Sequence, residues 1–224
     1  MTSTAVSYDS GLRGYMLKVY NWMTAGLLIT GGVAYAMFQS GAVLTMLANP
    51  ILLWGVMLSP FAVLLGMWLG PRDPMVHGAL FLTLSALMGA SMSTIFLTYK
   101  LGVIAQAFFA TAAGFAGTSL FGYTTKLDMS GLGSFFTIAL FGMIGLLIVN
   151  MFIVSSVFML AISFAGVLLF AGLTAYDTQK IKDLYNQGYG DDCAAISGAL
   201  ELYLDFINMF LYILRILGYF SKSD

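Results

Sequence analysis

Six polar residues with the spacing of one helical face lie near the end of an otherwise apolar sequence. The steps between them are four or three residues, so in a helix they form a single stripe. A polar stripe on an apolar helix predicts that this side faces protein or water and not lipid. The alternative is an amphipathic helix lying on the bilayer surface, with its acids among the headgroups. The stripe consists of Ser197, Glu201, Asp205, Asn208, Tyr212 and Arg215.

The composition of the chain requires lipid as its solvent. Of 224 residues, 60% are hydrophobic and 8% are charged, whereas soluble domains have about 25% charged residues. The mean hydropathy is +0.92, so we expect an all-α integral membrane protein. The net charge of −1 and the lack of a basic patch argue against nucleic acid as a partner. The single cysteine, Cys193, excludes an internal disulfide and a zinc cluster.

Seven apolar stretches are long enough to cross a bilayer, which takes about 20 residues each. Short turns connect them, so we predict one polytopic domain over residues 1–224. Pro60 lies inside the second stretch, and neighbouring helices must compensate for the kink we expect there. The loop 180–192 is the most polar part of the chain. The predicted spans are 19–44, 50–69, 75–98, 101–123, 132–153, 155–179 and 193–219.

The basic residues predict the orientation, because Lys and Arg accumulate on the cytoplasmic side. If the chain crosses the membrane seven times, six of the nine basic residues lie on the same side. This side is predicted to be cytoplasmic, which places the N-terminus in the cytoplasm and the C-terminus outside. A last segment that dips in and returns would make this bias stronger, but its length of about 25 residues favours a full crossing. The majority side has Arg13, Lys18, Arg72, Lys126, Lys180 and Lys182, and the other has Lys100, Arg215 and Lys222.

Few carboxylates fall within the predicted spans, and such residues are retained there for a reason. Asp205 is expected near the midplane, and Asp177 near the cytoplasmic end of the sixth span. Depth alone does not decide whether Asp205 or Glu201 is the partner of Asp177. Two carboxylates in one low-dielectric site share a single proton, and its loss leaves two anions that repel each other or capture a cation. Calcium suits such oxygens, to which Asn208 could add an amide.

Other interpretations of these residues are structural or enzymatic. The two aspartates could simply bond helix ends or caps, with Arg215 paired to an acid elsewhere. Tyr176-Asp177 and the segment 188–191 resemble motifs of intramembrane aspartyl proteases, but only thirteen residues separate Asp177 from Gly190, too few for another span. His77 is the only histidine, stands near a turn and is interpreted as a solvated residue. We therefore expect neither an enzyme nor a cofactor.

Two strings of residues resemble the bacterial branch of the Bax-inhibitor (transmembrane Bax inhibitor motif) family. They are Leu173-Thr-Ala-Tyr-Asp-Thr-Gln-Lys-Ile-Lys182 and the helix from Gly198 to Gly218 that contains Leu-Asp-Phe-Ile-Asn. The resemblance implies seven helices, with six in two groups of three wrapped around the central C-terminal one. It also implies a pH-sensitive calcium leak controlled by two aspartates, which fall on Asp177 and Asp205.

One departure from the family concerns an arginine at the end of the second helix. Some members have an arginine there that interacts with the aspartates, whereas this chain has Gly70 at that position and Arg72 two residues later. Two alternatives follow: Arg72 reaches the site, or it pairs only with Asp73. Gating could differ from the family accordingly.

The leading hypothesis is a leak channel or transporter in the bacterial inner membrane that moves calcium and responds to protons. Asp177 and Asp205 form its gate and tentative calcium ligands. The auxiliary polar groups are Glu201, Asn208, Tyr176 and Tyr212, and the candidate counter-charges are Arg72 and Arg215. The alternative, implied by other relatives, is a regulatory protein of stress or cell-death pathways whose partner is a membrane protease or another membrane protein.

Overall fold

The computed structural model describes the backbone of residues 2–221 and the side chains of residues 10–221. Lys222, one of the basic residues on the predicted outer side, lies outside this range. Within it the chain forms α-helices and one short 3₁₀ helix (Ser130–Leu132), without strands. The all-helical prediction is therefore confirmed. The α-helices are α1 (Thr2–Gln39), α2 (Ala42–Ala48), α3 (Pro50–Leu69), α4 (Pro74–Met92), α5 (Ile95–Thr98), α6 (Leu101–Thr124), α7 (Gly133–Ile153), α8 (Ser156–Asn186) and α9 (Asp192–Ser221).

Three predicted spans agree with helices to within one residue at each end. They are α3, α6 and α7, where the apolar stretch and the helix have the same length. The start of α3 illustrates why. Asn49 Oδ1 accepts hydrogen bonds from the backbone N–H groups of Ile51 (3.1 Å) and Leu52 (3.3 Å), and Pro50 is the first helical residue. An Asn cap followed by Pro is a strong helix start.

The segment 19–44, predicted as one span, is not one continuous helix. The helix α1 already begins at Thr2 and ends at Gln39, and Gly41 takes a left-handed conformation with φ +74°. This backbone conformation favours glycine, and hydropathy does not report it. The short helix α2 then leaves at 80° to the main part of α1. The predicted span 75–98 is likewise interrupted, between α4 and α5 at Ser93 and Thr94.

The helix that contains the sixth predicted span, α8, is longer than that span. We ended the span where the sequence becomes polar, but the helix continues through these polar residues. We predicted 155–179 with a loop over 180–192, whereas α8 continues to Asn186 and the connection to α9 is only Gln187–Asp191. The helix ends where Gly188 is left-handed, with φ +88°. There the N–H of Tyr189 donates to the carbonyl of Leu184 (3.0 Å).

Several of these helices can cross a membrane by length and composition. Five segments in the described part of the chain qualify, and a sixth is added if α1 and α2 together count as one broken span. The last helix, α9, is not among them. Seven crossings with α9 at the centre therefore stay a prediction. The five segments are Pro50–Leu69, Pro74–Thr98, Leu101–Thr124, Ser130–Ile153 and Ser156–Asn186.

Pro60 lies inside α3 and leaves one backbone carbonyl without its usual helical donor, because proline has no N–H. The affected carbonyl is that of Val56, four residues earlier. Ser59 Oγ donates to it at 2.9 Å. Ser91 Oγ of α4 lies 3.2 Å from it and shares its single hydrogen with the carbonyl of Leu87 (3.0 Å). The neighbouring helix thus supplies part of the compensation that a proline within a membrane helix requires.

The chain divides into two compact units. The N-terminal unit comprises the chain up to Lys100 together with Leu184–Tyr203, and the C-terminal unit comprises Leu101–Asp183 together with the chain from Leu204 on. The boundaries fall after Lys100, within α8 after Asp183 and within α9 after Tyr203.

Helices α1 and α4 pack closely in the N-terminal unit, and a buried hydroxyl group links them to α9. Thr30 Oγ1 lies 2.9 Å from the carbonyl oxygen of Ser85 and 2.7 Å from the hydroxyl of Tyr203. A threonine hydroxyl has one hydrogen, so when Thr30 donates to a carbonyl, Tyr203 donates to Thr30. All three residues are buried. The contact therefore fixes the first half of α9 against α1 and α4.

The core of the C-terminal unit is an apolar cluster between α7, α8 and α9. Helix α6 adds to the packing of α9, where the rings of Phe115 and Phe206 lie 5.6 Å apart. This packing leaves little freedom for α8 and α9 to rotate against each other. The buried members of the cluster are Phe136, Met143, Ile162, Leu169, Phe170, Leu173, Met209 and Tyr212.

Candidate functional site

The α8 segment that contains Asp177 packs against α6 at close range. The hydroxyls of Ser119 and Thr178 lie 2.9 Å apart. Two turns of α6 and α8 come so close that a Cβ atom on Gly122 would overlap the carbonyl group of Ala175. Glycine at position 122 is therefore required for this approach.

Gln179 holds the loop between α6 and α7 with both ends of its amide. Its Nε2 donates to the carbonyl of Leu127, and its Oε1 accepts from the N–H of Met129, both at 2.8 Å. One turn further, Lys182 Nζ donates to the carbonyl of Tyr123 (2.9 Å) at the end of α6. A cation at a helix C-terminus is favourable. The residues that follow Asp177 thus fix α8 to α6 and its loop.

The register of α8 and α9 follows from one ring contact. Phe170 stacks on Tyr212 with the ring centres 5.9 Å apart, and an added Cβ on Gly166 would meet the same tyrosine ring. The connection between the two helices is only five residues long, so α8 and α9 run antiparallel.

This register places Asp177 and Asp205 at the same level of the C-terminal unit. Asp177 follows Phe170 by seven residues, and Asp205 precedes Tyr212 by seven. Seven residues are two turns of helix, so each aspartate projects from the face that makes the ring contact. The contacts of α6 agree less closely, because Thr178 lies at Ser119 whereas Phe206 lies at Phe115. On α6 the levels of the two aspartates therefore differ by about six residues, or about 9 Å.

The two aspartates differ in burial. Asp205 is 5% exposed, and Asp177 is half-buried. In the described part of the chain no three or more His, Cys, Asp or Glu side chains are grouped so that they could hold a metal ion. A calcium ion takes six to eight oxygen ligands. At this level most of them would come from water, amides and carbonyls.

The other polar residues of the stripe in this unit make local contacts along α9. Asn208 Nδ2 donates to the carbonyl of Leu204 at 2.8 Å. The guanidinium carbon of Arg215 lies 5.2 Å from the centre of the Tyr212 ring, a cation–π contact. Arg215 is ten residues beyond Asp205, which is about 15 Å along the helix. Its described partner is thus an aromatic ring.

The remaining predicted site residues face other elements. Tyr176 lies against α7, where its ring centre is 5.7 Å from that of Phe136. Glu201 is half-buried in the N-terminal unit, and Arg72 of the same unit is exposed. The carboxylate of Asp73 caps α4 by accepting from the N–H of Met75 (2.9 Å) and that of Val76 (3.0 Å).

The interpretation of His77 as a solvated residue is wrong. Its exposed fraction is 6%, and its Nδ1 has no hydrogen-bond partner among the residues that the structure describes. The residue stands only four positions after the cap Asp73, so proximity to a turn suggested exposure. However, Pro74 starts α4 immediately, and His77 already lies on the face that is followed one turn later by the buried Phe81.

Sequence reasoning did not identify Gln179 and Lys182 as anchors of the candidate site. Both stand in the string from Leu173 to Lys182 that supported the family resemblance, but their partners are backbone groups. A backbone carbonyl or N–H has no signature in the sequence, so the string indicated importance without indicating the role. A signal was present nonetheless, because Gln179 follows Asp177 by two residues in the same string.

We expect Gln179→Ala to destabilise the protein, since it leaves the N–H of buried Met129 and the carbonyl of Leu127 without their partner. Such losses cost about 1–3 kcal/mol for a buried group. The measurement is thermal unfolding in detergent, in which Tm should fall by several degrees. Gln187→Ala is the control, because Gln187 is exposed in the α8–α9 connection. Equal Tm values for the two variants would contradict the anchoring role.

The chain is similar to a known family of membrane proteins. Residues 12–222 match the family described as Inhibitor of apoptosis-promoting Bax1. Inner membrane protein YbhL of Escherichia coli K12 is 42% identical over 225 residues, covering 97% of this chain and 96% of that protein. A protein of Caulobacter vibrioides is 39% identical, covering 95% and 91%. A membrane protein of Streptococcus pyogenes is 34% identical, covering 94% of each chain.

The family match extends over nearly the whole chain, and the relatives are aligned over nearly their whole length. Two of them are named as membrane proteins, in agreement with the five or six segments here that are apolar enough to cross a bilayer. The chain therefore belongs to the Bax inhibitor family of membrane proteins.

Proposed function

We propose that this protein is a pH-sensitive leak for calcium or a similar cation, gated by Asp177 and Asp205. The observation that supports this proposal is the register of α8 and α9, in which the two aspartates lie at one level on the faces that pack together. Two acids at such positions are expensive within a membrane protein unless they pair or serve an ion path.

The gate works through one shared proton. In a site of low dielectric two neighbouring carboxylates do not both ionise readily, so a single proton holds them together by a hydrogen bond. This state ties α8 to α9 and is closed. As the pH rises, the proton leaves and two negative charges repel each other. The helices then separate at this level or accept a cation, so the leak opens with rising pH.

Calcium is the proposed substrate because it prefers carboxylate, amide and carbonyl oxygens. Asn208 is one turn from Asp205 and is an auxiliary amide in this proposal, with Glu201, Tyr176 and Tyr212 as further polar groups. Arg215 and Arg72 are candidate counter-charges in an open state. In cells we place the protein in the bacterial inner membrane with its N-terminus in the cytoplasm, in accordance with the distribution of lysine and arginine.

The test is calcium uptake into liposomes that contain only the purified protein, measured against pH. We expect uptake that is low at acidic pH and rises with pH. A like-charge repulsion of about 1.4–2.8 kcal/mol would raise the open fraction about ten- to hundredfold. If the protein alone moves no ions at any pH, the leak is excluded. A regulatory role with a membrane protease or stress-pathway partner would then become the better hypothesis.

A further inference from the structure

The turn between α7 and α8 is the shortest connection between two long helices in the C-terminal unit. Only Val154 and Ser155 separate Ile153 from Ser156. The surrounding sequence has no Asp, Glu, Lys or Arg from residue 129 to residue 176. It also has no Trp or Tyr between 129 and 175, so the residues that mark a membrane–water interface are absent from this turn.

Large apolar side chains project outward at this turn. Phe152 is 84% exposed and Val154 is 80% exposed, and Met151, Ile153 and Val157 are exposed as well. Transfer of one such side chain out of water is worth about 1.5–3 kcal/mol. A turn of this composition would be costly in water.

Part of the backbone of the turn is hydrogen-bonded within the turn. The N–H of Val154 donates to the carbonyl of Asn150 (2.8 Å), and the N–H of Phe158 donates to Ser155 Oγ (3.2 Å). The N–H of Met159 donates to the carbonyl of Ser155 (2.9 Å). These three bonds lower the free-energy cost of placing the turn in hydrocarbon, where each open backbone group costs several kcal/mol.

Val154 takes the left-handed conformation, with φ +51°. At the end of a helix this conformation is usually taken by glycine or asparagine, and it is strained for a β-branched residue. The chain therefore accepts strain here while presenting an apolar side chain outward. The free energy gained by placing the Val154 side chain in hydrocarbon would offset the strain energy of its backbone, whereas exposure of the side chain to water would not.

The length of α7 fits a turn at the edge of the hydrocarbon layer. Its 21 residues span about 31 Å, close to the hydrocarbon thickness of about 30 Å. The connection between α5 and α6 differs, because Tyr99 and the exposed Lys100 stand there as interface residues. The two connections should therefore lie at different depths.

We propose that the α7–α8 turn lies beneath the lipid headgroups, with residues 151–154 in contact with acyl chains. The occupant of this apolar surface is the bilayer itself. A second copy of the chain or another membrane protein would be the alternative cover. The inference concerns the placement of the turn and is independent of ion transport.

Cysteine labelling tests the depth of the turn. In a Cys193→Ala background, Val154→Cys and the control Lys100→Cys are reconstituted, and a membrane-impermeant maleimide reaches both faces after freeze–thaw. We expect Val154→Cys to react at least about tenfold more slowly than Lys100→Cys, because thiolate formation is unfavourable in hydrocarbon. Dissolving the bilayer in detergent should remove the difference. Equal rates before detergent would overturn the proposal.

A second measurement identifies what covers the turn. A fluorophore attached to Val154→Cys in detergent is reconstituted into lipids with brominated acyl chains, which quench by contact. We expect strong quenching that does not depend on the protein-to-lipid ratio, and weaker quenching for the same fluorophore on Lys100→Cys. Protection from maleimide without quenching would show that protein and not lipid covers the turn, and would overturn the proposal.

Discussion

Replacing either Asp177 or Asp205 by Asn should leave calcium uptake low and nearly independent of pH. Asn has the shape of a protonated Asp but cannot ionise, so the two anions that open the gate never form. Its amide can also donate a hydrogen bond to the remaining carboxylate, which keeps α8 and α9 together without a shared proton. At alkaline pH each variant should therefore fall about ten- to hundredfold below the wild type, the range over which repulsion would open the gate.

Two further variants make this result specific. Asp128→Asn is the matched control, because Asp128 is an exposed carboxylate in the α6–α7 loop. Hydrogen bonds from Ser130, its side chain first and then its backbone N–H, lower the pKa of Asp128, so it stays ionised at neutral pH. Glu201→Gln tests whether Glu201 is the partner of Asp177, because depth alone does not distinguish Glu201 from Asp205. Wild-type pH profiles in both Asp177→Asn and Asp205→Asn would exclude the aspartate gate.

Gly122→Ala should be among the most damaging single-methyl substitutions in this protein. Its new Cβ would overlap the carbonyl group of Ala175, which is part of the α8 backbone and cannot rotate away. Overpacking of this kind costs about 1–3 kcal/mol, and relief would require α8 to move away from α6. Asp177 is two residues beyond Ala175, so the pH profile of uptake should also shift. Thermal unfolding in detergent and calcium uptake are the two measurements.

Gly117→Ala is the control on the same helix. An added Cβ at position 117 meets no atom within 4 Å, and Ala is favoured over Gly in a helix by up to about 1 kcal/mol. Tm should therefore stay the same or rise for Gly117→Ala and fall for Gly122→Ala. Similar values for the two variants would show that the close approach of α6 and α8 is not rigid.

The apolar length of a segment predicted its helix well where helix and membrane span coincide. This applies to α3, α6 and α7, whose ends also have turn or cap residues in the sequence. It failed for α1 and α8, since both helices extend past their apolar part. A helix needs only hydrogen bonds along its backbone, and polar residues maintain those as well as apolar ones do.

The candidate site was partly predictable from periodicity. Helical spacing identified Asp205 directly, and Asp205 is buried. The stripe as a whole is less buried than the other faces of α9, since Ser197 is exposed and Glu201 is half-buried. Periodicity could not predict that Asp177 lies near the level of Asp205. That position depends on the register of α8 and α9, which is inferred from the ring contact between Phe170 and Tyr212. Nor could periodicity identify Gln179, whose partners are backbone groups of the α6–α7 loop.

The length of α8 has an electrical consequence for any proton that reaches Asp177. Asp177 stands 23 residues after Val154, which is about 34 Å of helix. With the α7–α8 turn at one edge of the hydrocarbon, Asp177 lies close to the opposite edge, predicted to be cytoplasmic. A full crossing of the membrane potential is worth about 2.3 kcal/mol per charge at 100 mV. A proton arriving from the cytoplasmic edge crosses only a small fraction of that field, so the gate should respond to cytoplasmic acidity and hardly to voltage.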